Sequence, residues 1–436
     1  MSAPLTITRP AHRDPDVLRW LGAYTTSVTG DVVYFLVLSW AVARVAGPAE
    51  VGLVLAVGAV PRAALMLAGG VVADRFGPRR VVILSDLVRC LTILAAAGIS
   101  YAGGGLWPLV AVAVIFGAVD ALFMPAVGAL PPRLTDTGQL TRVQALRSLS
   151  IRLSNAAGPL LAALVLSAAG AHAGFLLAGA LFAVSLVLLR AMRLRPAASP
   201  PAPAHEPGPR LAAHVGRGPG TAARPQPDPM PSTRYRSPTK KQRDLRDGLR
   251  YLRRERSLLP LVAVIGLGDM CFSGPVGTGL VLLADERGWS AGVLGATLSA
   301  FSVGGAVSGL GLTAVGKVPR PGPIMAASLV AAGILVAATG LAPSAGLAIG
   351  FSGALGLVSG VASVVGAGEL QTRTDPRYLG RVTAVTTLCT LGLSPIVLPV
   401  AGIVSARWGT GVFFLGCGVV CLIAAAIAVV VRDRAA

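Results

Sequence analysis

The sequence is short of charge and of aromatic rings. Of its 436 residues only 13% are charged and 5% are Phe, Trp or Tyr, whereas soluble domains carry about 25% charged residues. A water-facing surface cannot be built from so little charge, which excludes a soluble globular protein. Histidine and cysteine are also scarce, with 4 and 5 residues. His12, His172, His205 and His214 have no metal-ligand spacing. All the cysteines (Cys90, Cys271, Cys389, Cys417 and Cys421) lie in apolar runs without a C-x-x-C, so neither a metal centre nor a disulfide framework is expected. Walker A, H-E-x-x-H and nucleophile-elbow patterns are missing, so ATP-driven and hydrolytic chemistry have no support and the chain reads as a non-enzyme without a cofactor. The first residues are polar and show no cleavable signal pattern.

What is present is apolar. Hydrophobic residues make up 54% of the chain, and the mean hydropathy is +0.71. The formal charge of +19 is concentrated: between Arg190 and Arg256 stand 16 Lys/Arg and 5 Asp/Glu, a balance of +11. That stretch has only Tyr235 and Tyr251 as aromatic interleaving, which argues against a nucleic-acid surface. Cytoplasmic retention and attraction to anionic lipid explain it better.

A helix needs about 20 apolar residues to cross a bilayer. Six such runs precede the basic segment, at 18–43, 50–73, 81–102, 107–130, 144–169 and 172–190. Six follow it, at 257–284, 290–316, 322–341, 345–371, 380–405 and 408–431. Basic residues gather in alternate loops: Arg75, Arg79 and Arg80, then Arg133, Arg142 and Arg147, the central segment, Lys317 and Arg320, Arg373, Arg377 and Arg381, and Arg432 and Arg434. The intervening loops carry little beyond Arg44, Glu50, Asp285, Glu286, Arg287 and Arg407. By the positive-inside rule both termini and the central segment face the cytoplasm. The expected division is a cytoplasmic N-terminus over 1–17, a six-helix bundle over 18–190, a basic Pro-rich linker over 191–256, a second bundle over 257–431 and a tail over 432–436. Within the linker 191–243 reads as disordered. From Asp244 to Leu259 the leucines fall on one face among arginines, which suits a helix lying on the inner leaflet or a solvated basic tether.

The two halves repeat. Gly30-Asp31 recurs as Gly268-Asp269, 238 positions later; Gly70 recurs as Gly309 at 239; and Asp136-x-x-x-Leu140-x-Arg142-Val143-x-Ala145 recurs as Asp375-x-x-x-Leu379-x-Arg381-Val382-x-Ala384, again at 239. A near-constant offset at three separated sites implies two parallel six-helix repeats.

Between the second and third runs lies Gly70-Val71-Val72-Ala73-Asp74-Arg75-Phe76-Gly77-Pro78-Arg79-Arg80. Gly70 permits close backbone approach, Gly77 supplies a positive-φ turn, Asp74 can latch onto an arginine or a helix N-terminus, and the arginines anchor the turn. A topological anchor is the plainer reading. The pattern G-x-x-x-D-R-x-G-x-R-R resembles the signature of the major facilitator superfamily. That resemblance implies twelve helices in two bundles, with helices 1, 4, 7 and 10 lining a central cavity. It also implies a gate in which Asp74 meets Arg133 or the N-terminus of helix 11 near Gly380 and Arg381. In helix 5, Ser154-Asn155-Ala156-Ala157-Gly158-Pro159-Leu160-Leu161-Ala162-Ala163 resembles the antiporter signature G-x-x-x-G-P-x-x-G-G, with Ser and Ala replacing three of its four glycines. Small residues let helix 5 press on a neighbour, and Pro159 permits a bend.

Charges inside spanning helices cost about 2.5–3.5 kcal/mol each on insertion scales, so each calls for a function or a partner. Asp31, Arg62, Asp120 and Asp269 sit at mid-helix; the resemblance places Asp31, Asp120 and Asp269 in the cavity, with Arg62 available to pair with an aspartate. Burial favours the neutral form of Asp31 and a nearby Arg62 the charged form; Tyr34 one turn on is positioned to donate a hydrogen bond. Asp31 is the first candidate for proton coupling and Asp120 the second. Tyr34 and Phe123 are candidate substrate contacts, as are Tyr24, Phe35 and Trp40, though packing explains each of these singly. Asp86 and Arg89 share a face of helix 3 and read as a structural pair. Glu369, Gln371 and Arg373 at the end of helix 10 read as a second gate cluster.

Gly30-Asp31, Phe123-x-Pro125-Ala126 and Leu379-Gly380-Arg381-Val382 look like the drug and siderophore exporter branch of the superfamily. The expected protein is an inner-membrane, bacterial, monomeric exporter of a small amphipathic molecule in exchange for protons. A solute importer or facilitator on the same scaffold, or a membrane receptor docking partners on its linker, are the alternatives.

Overall fold

The computed structural model describes residues 13–135, 139–192, 258–315, 320–375 and 378–433. Residues 193–256 of the linker, Lys317, Asp136 and Arg377 lie outside the described residues, as do the side chains of Asp74 and Arg381 and the surroundings of Gly70 and Gly380.

Among the described residues regular structure is helical: α1 (Pro15–Val45), α2 (Pro48–Phe76), α3 (Pro78–Tyr101), α4 (Leu106–Gly128), the single turn α5 (Pro131–Leu134), α6 (Leu140–Ala191), α7 (Leu258–Gly274), α8 (Leu280–Glu286), α9 (Ala291–Val315), α10 (Pro321–Gly340), α11 (Ala345–Arg373), α12 (Leu379–Trp408) and α13 (Thr410–Asp433). Prolines open several of them, where the missing N–H costs nothing and φ is preset. In α1 the Asp14 side chain also accepts from the Asp16 amide at 2.9 Å. A π-helical turn, Pro275–Gly279, joins α7 to α8, which together form one crossing.

Ten described helices are long and apolar enough to cross a membrane. One of them, α6, has 52 residues, about 78 Å of helix at 1.5 Å per residue, against a hydrocarbon core of about 30 Å. It breaks at Gly170, whose φ of 77° is open to glycine at no steric cost, and so makes two antiparallel crossings. With α12 the described residues make twelve crossings, and α1 begins on the same side as α13 ends. That side is called the termini side below.

The packing repeats as the sequence does. α1 packs on both halves of α6, α2 on α4, and α3 on α4 and α6; in the second half α7 packs on α12 and α13, α9 on α11, and α10 on α11 and α13. The two bundles meet through α2 with α12 and through α6 with α9, which are equivalent contacts under the repeat. Glycine allows the closest approaches. A Cβ at Gly117 on α4 would collide with the Gly58 carbonyl on α2, and one at Gly356 on α11, 239 positions later, would collide with the Phe301 carbonyl on α9. Leu84 and Leu91 on α3 and Leu310 on α9 stay exposed, as lipid-facing leucines must be once buried positions are filled.

Candidate substrate cavity and buried charge network

A cavity of about 450 Å³ lies between the bundles. α1 contributes Tyr34 and Phe35, α2 Arg62, α4 Phe116, α6 Asn155 and Pro159, the α7 end and π-turn Ser273 and Gly277, α9 Phe301, and α12 Leu398. Helix 10 of the sequence reading, α11 here, is not among these walls, whereas α2, α6, α9 and α12 are. The reason is steric: the bare backbone of Gly356 lets α9 lie against α11, so Phe301 of α9 occupies the cavity wall in its place. The Pro275–Gly279 π-turn was missed by hydropathy alone, although Gly-Pro-Val-Gly-Thr-Gly, beginning at Gly274, is a legible break inside an apolar run. Such turns are frequent at functional sites.

On the side away from the termini the bundles close on each other. A Cβ at Gly52 of α2 would stand 3.2 Å from the Gly402 amide nitrogen of α12, and one at Gly295 of α9 would stand 2.6 Å from the Pro159 carbonyl of α6. Nearer the termini Arg152 of α6 donates from Nη1 to the Gly305 carbonyl of α9 at 3.1 Å. Its guanidinium lies beside Gly309, where a Cβ would stand 2.8 Å from Nη2.

Behind the cavity wall, inside the first bundle, lies a network centred on Arg89. Helical spacing builds it: Ser27 and Asp31 share a face of α1, Asp86 and Arg89 a face of α3, and Phe116, Asp120 and Phe123 a face of α4. Arg89 Nη1 donates to Asp31 Oδ1 at 3.1 Å and to Asp120 Oδ1 at 3.4 Å. Its Nη2 donates to Ser27 Oγ at 2.9 Å and to Asp86 Oδ1. Asp86 also accepts from Ser27 at 3.3 Å and from Ser185 of α6. The Arg89 guanidinium lies 3.8 Å from the Phe123 ring centroid and 4.8 Å from that of Phe182, a cation–π arrangement that is worth most when desolvated, as here. Arg62 Nε approaches Asp120 Oδ2 at 2.7 Å as a charge contact rather than an aligned hydrogen bond.

Side-chain exposure grades the network. Arg89 and Asp86 are 0% exposed, Asp120 2%, Asp31 19% and Arg62 35%. Arg62 therefore faces the cavity on one side and Asp120 on the other. Three carboxylates meet two guanidinium groups, leaving one negative charge in excess when all are ionised.

Several placements differ from the sequence expectations. Phe123 lies beneath Arg89 and is 1% exposed, away from the cavity, because its spacing from Asp120 points both side chains at α3. Asp120 is buried rather than open to water. Asp269 lines a separate cavity in the second bundle. Tyr34 lines the main cavity, but its ring stacks on Phe116 with centroids 3.9 Å apart, and no hydrogen bond to Asp31 is present among the described residues. Arg89 holds Asp31 and Asp120 as well as Asp86, a reach that the i, i+3 spacing alone did not reveal. Ser185 and Phe182 carried no sequence signal, since each is an ordinary residue in an apolar run, whereas Arg152 was legible as a charge inside the fifth run.

The helix 5 motif has a packing role. Ser154 Oγ donates to the Thr25 carbonyl at 3.1 Å and accepts from Thr29 at 3.0 Å. At Gly158 a Cβ would meet Val32 Cγ1 at 2.7 Å, so α1 and α6 touch there. At the α2–α3 turn Gly77 has φ 84°. Arg79 Nη2 caps the end of α6 by donating to the Arg190 carbonyl at 3.1 Å and the Met192 carbonyl at 2.9 Å. Arg75 stacks over Phe76, and Arg80 and Arg133 are exposed. Glu369 and Arg373 pair at 2.6 Å at the termini-side end of α11.

Comparison with known proteins decides the family. The sequence pattern described as Major Facilitator Superfamily matches residues 20–397. The chain belongs to the Major Facilitator Superfamily. Over 171 residues it is 27% identical to an uncharacterized MFS-type transporter, YfiS, of Bacillus subtilis, an overlap of 39% of this chain and 40% of that protein. The chain thus spans about two fifths of the length of that curated relative. Solved structures share the fold: the nucleoside transporter NupG aligns with a TM-score of 0.67 at 14% identity, covering 96% of this chain and 98% of that one. The POT family transporter PepTSo aligns with a TM-score of 0.68 at 12% identity, covering 97% and 98%. This superfamily member is a multi-pass membrane protein that shares the fold of those solved transporters.

Proposed function

We propose that this transporter is a secondary active exporter of a small amphipathic molecule, drug-, antibiotic- or siderophore-like, exchanged for protons by alternating access. It would work as a monomer in the bacterial inner membrane with the termini side cytoplasmic, the basic linker resting on anionic lipid. The observation that carries the reading is the pairing of an aromatic-walled cavity with a buried network one positive charge short of neutrality. A cavity of 450 Å³ falls in the usual range of small-ligand sites, roughly 300–1,000 Å³. A single proton would neutralise the network, and Asp31 is its most accessible carboxylate. Arg62 touches both compartments, so a ligand that draws Arg62 toward the cavity weakens its hold on Asp120 and changes the charge balance seen by Asp31. That gives substrate and proton a shared element, as exchange requires. Asp120 is the second candidate for the proton.

Alternating access needs a gate. We assign it to Gly70, Asp74, Arg75, Gly77, Arg79 and Arg80 on the α2–α3 turn, with Arg133, Gly380 and Arg381 as the opposing surface. A carboxylate near a helix N-terminus is favoured by about 0.3–1 kcal/mol, enough to bias two near-equal states. Ser154, Gly158 and Pro159 would transmit the motion, since they bind α6 to α1 and to α9.

The test is a drug-susceptibility panel in an efflux-deficient host, comparing wild type with Asp74→Asn. Asp74→Asn is expected to express normally and lose most of the resistance. Proteoliposomes then report proton movement driven by a compound identified in the panel. Asp31→Asn should abolish that movement while retaining binding or downhill exchange. Unchanged proton movement in Asp31→Asn with loss in Asp120→Asn transfers the role to α4; no effect of either leaves a uniporter.

A further inference from the structure

The termini-side half of the second bundle holds a cavity of about 270 Å³ that shares no lining residue with the central one. α7, α10, α11 and α12 wall it, with Phe272, Met325 and Leu329 among its apolar side chains and Gln371 and Thr386 among its polar ones. Asp269 is the ionisable group in that wall. Its side chain is exposed to the cavity, and no ion pair or hydrogen bond engages it among the described residues. The contrast with the first bundle is direct. Asp31, its counterpart under the repeat, is held by Arg89, whereas the second bundle places no described cation beside Asp269.

Asp269 lies about 16 Å along α7 from Leu258, at 1.5 Å per residue, which is mid-depth in the membrane. A carboxylate held at that depth without a countercharge is expensive and marks a ligand or ion path. Apolar walls around one anion select a ligand with an apolar body and a single positive charge. Phe272 brings an aromatic ring to the wall, the group that attracts a cation, and the Met325 thioether adapts to irregular shapes. Phe272 is followed on α7 by Ser273, which lines the central cavity, so the two cavities are successive along one helix.

We infer that the second cavity is a receiving site for a lipophilic monocation, with Asp269 as its countercharge, distinct from the central cavity. This goes beyond the exporter reading, because it concerns binding and holds for either direction of transport.

The experiment uses tetraphenylphosphonium as the probe on the purified full-length protein in detergent, read by equilibrium dialysis. Wild type should bind it saturably. Asp269→Asn should weaken binding at least tenfold, about 1.4 kcal/mol, and Asp269→Glu should stay near wild type. A second reading, independent of how Asp269→Asn folds, uses Ser363→Cys in a cysteine-free background, since Ser363 lines the same cavity and is exposed. Tetraphenylphosphonium should slow maleimide alkylation of that cysteine, and the neutral triphenylphosphine oxide should not. Undiminished binding to well-folded Asp269→Asn, unprotected Ser363→Cys at saturating probe, or no saturable binding to wild type would each overturn the proposal. Loss of proton movement in Asp269→Asn with unchanged probe affinity would also overturn it, making Asp269 a proton group instead.

Discussion

Arg89 is the group whose removal the network should tolerate least. Arg89→Met keeps the length of the side chain and deletes the guanidinium. Asp86, 0% exposed, then retains only the hydroxyl donors of Ser27 and Ser185, Asp31 loses its 3.1 Å partner and Asp120 its 3.4 Å partner. Breaking a buried ion pair by removing one member costs about 3–5 kcal/mol, because an uncompensated charge is left behind. The contact with Phe123 goes at the same time. Against typical folding stabilities of about 5–15 kcal/mol, the variant should fold in the cold and unfold early on heating. Arg89→Lys should lie between the two, since one ammonium cannot serve the acceptors that Nη1 and Nη2 reach separately. The decisive variant is Arg89→Met with Asp86→Asn, which removes the stranded charge together with its partner and should recover more than about 1 kcal/mol, the signature of coupling in a double-mutant cycle. Denaturant unfolding of purified protein in detergent measures the four corners of that cycle: wild type, Arg89→Met, Asp86→Asn and the double variant. Stability of Arg89→Met within about 0.5 kcal/mol of wild type, the range of unremarkable surface changes, would refute the reasoning, and so would a double variant no more stable than the single one.

Three further outcomes follow from the geometry. Gly117→Ala should destabilise by about 1–3 kcal/mol through overpacking of α2 on α4, whereas Gly128→Ala, whose Cβ meets nothing within 4 Å, should be neutral in the same unfolding assay. Gly77→Ala has equally open space but must adopt φ 84° and ψ 132°, outside the left-handed helical well, so it should cost roughly 1–3 kcal/mol through backbone strain alone, and Gly77→Asn should cost as much. In a cysteine-free protein, single cysteines at Gly104, Ala171 and Ser344 should react with an impermeant maleimide from outside the cell and one at Pro219 only from inside; external labelling at Pro219 would reverse the assigned orientation.

Hydropathy by itself determined the crossings, because the bilayer demands about 20 apolar residues per helix and leaves few other ways to satisfy the backbone. The repeat offset likewise announced the symmetry that the α2–α12 and α6–α9 contacts display, and Gly77 declared its turn through the short loop it terminates. The charged residues were visible too, since each is conspicuous in an apolar run. Their partnerships were not. Which aspartate meets which arginine depends on the rotation of α1, α3 and α4 about their axes, and that is set by packing against glycines such as Gly30, Gly117 and Gly158. Only the assembled bundle could turn Phe123 under Arg89, let α9 take the place of α11 at the cavity wall, and give Asp269 a cavity of its own. Sequence spacing fixes which residues share a helix face; the tertiary structure decides what each face meets.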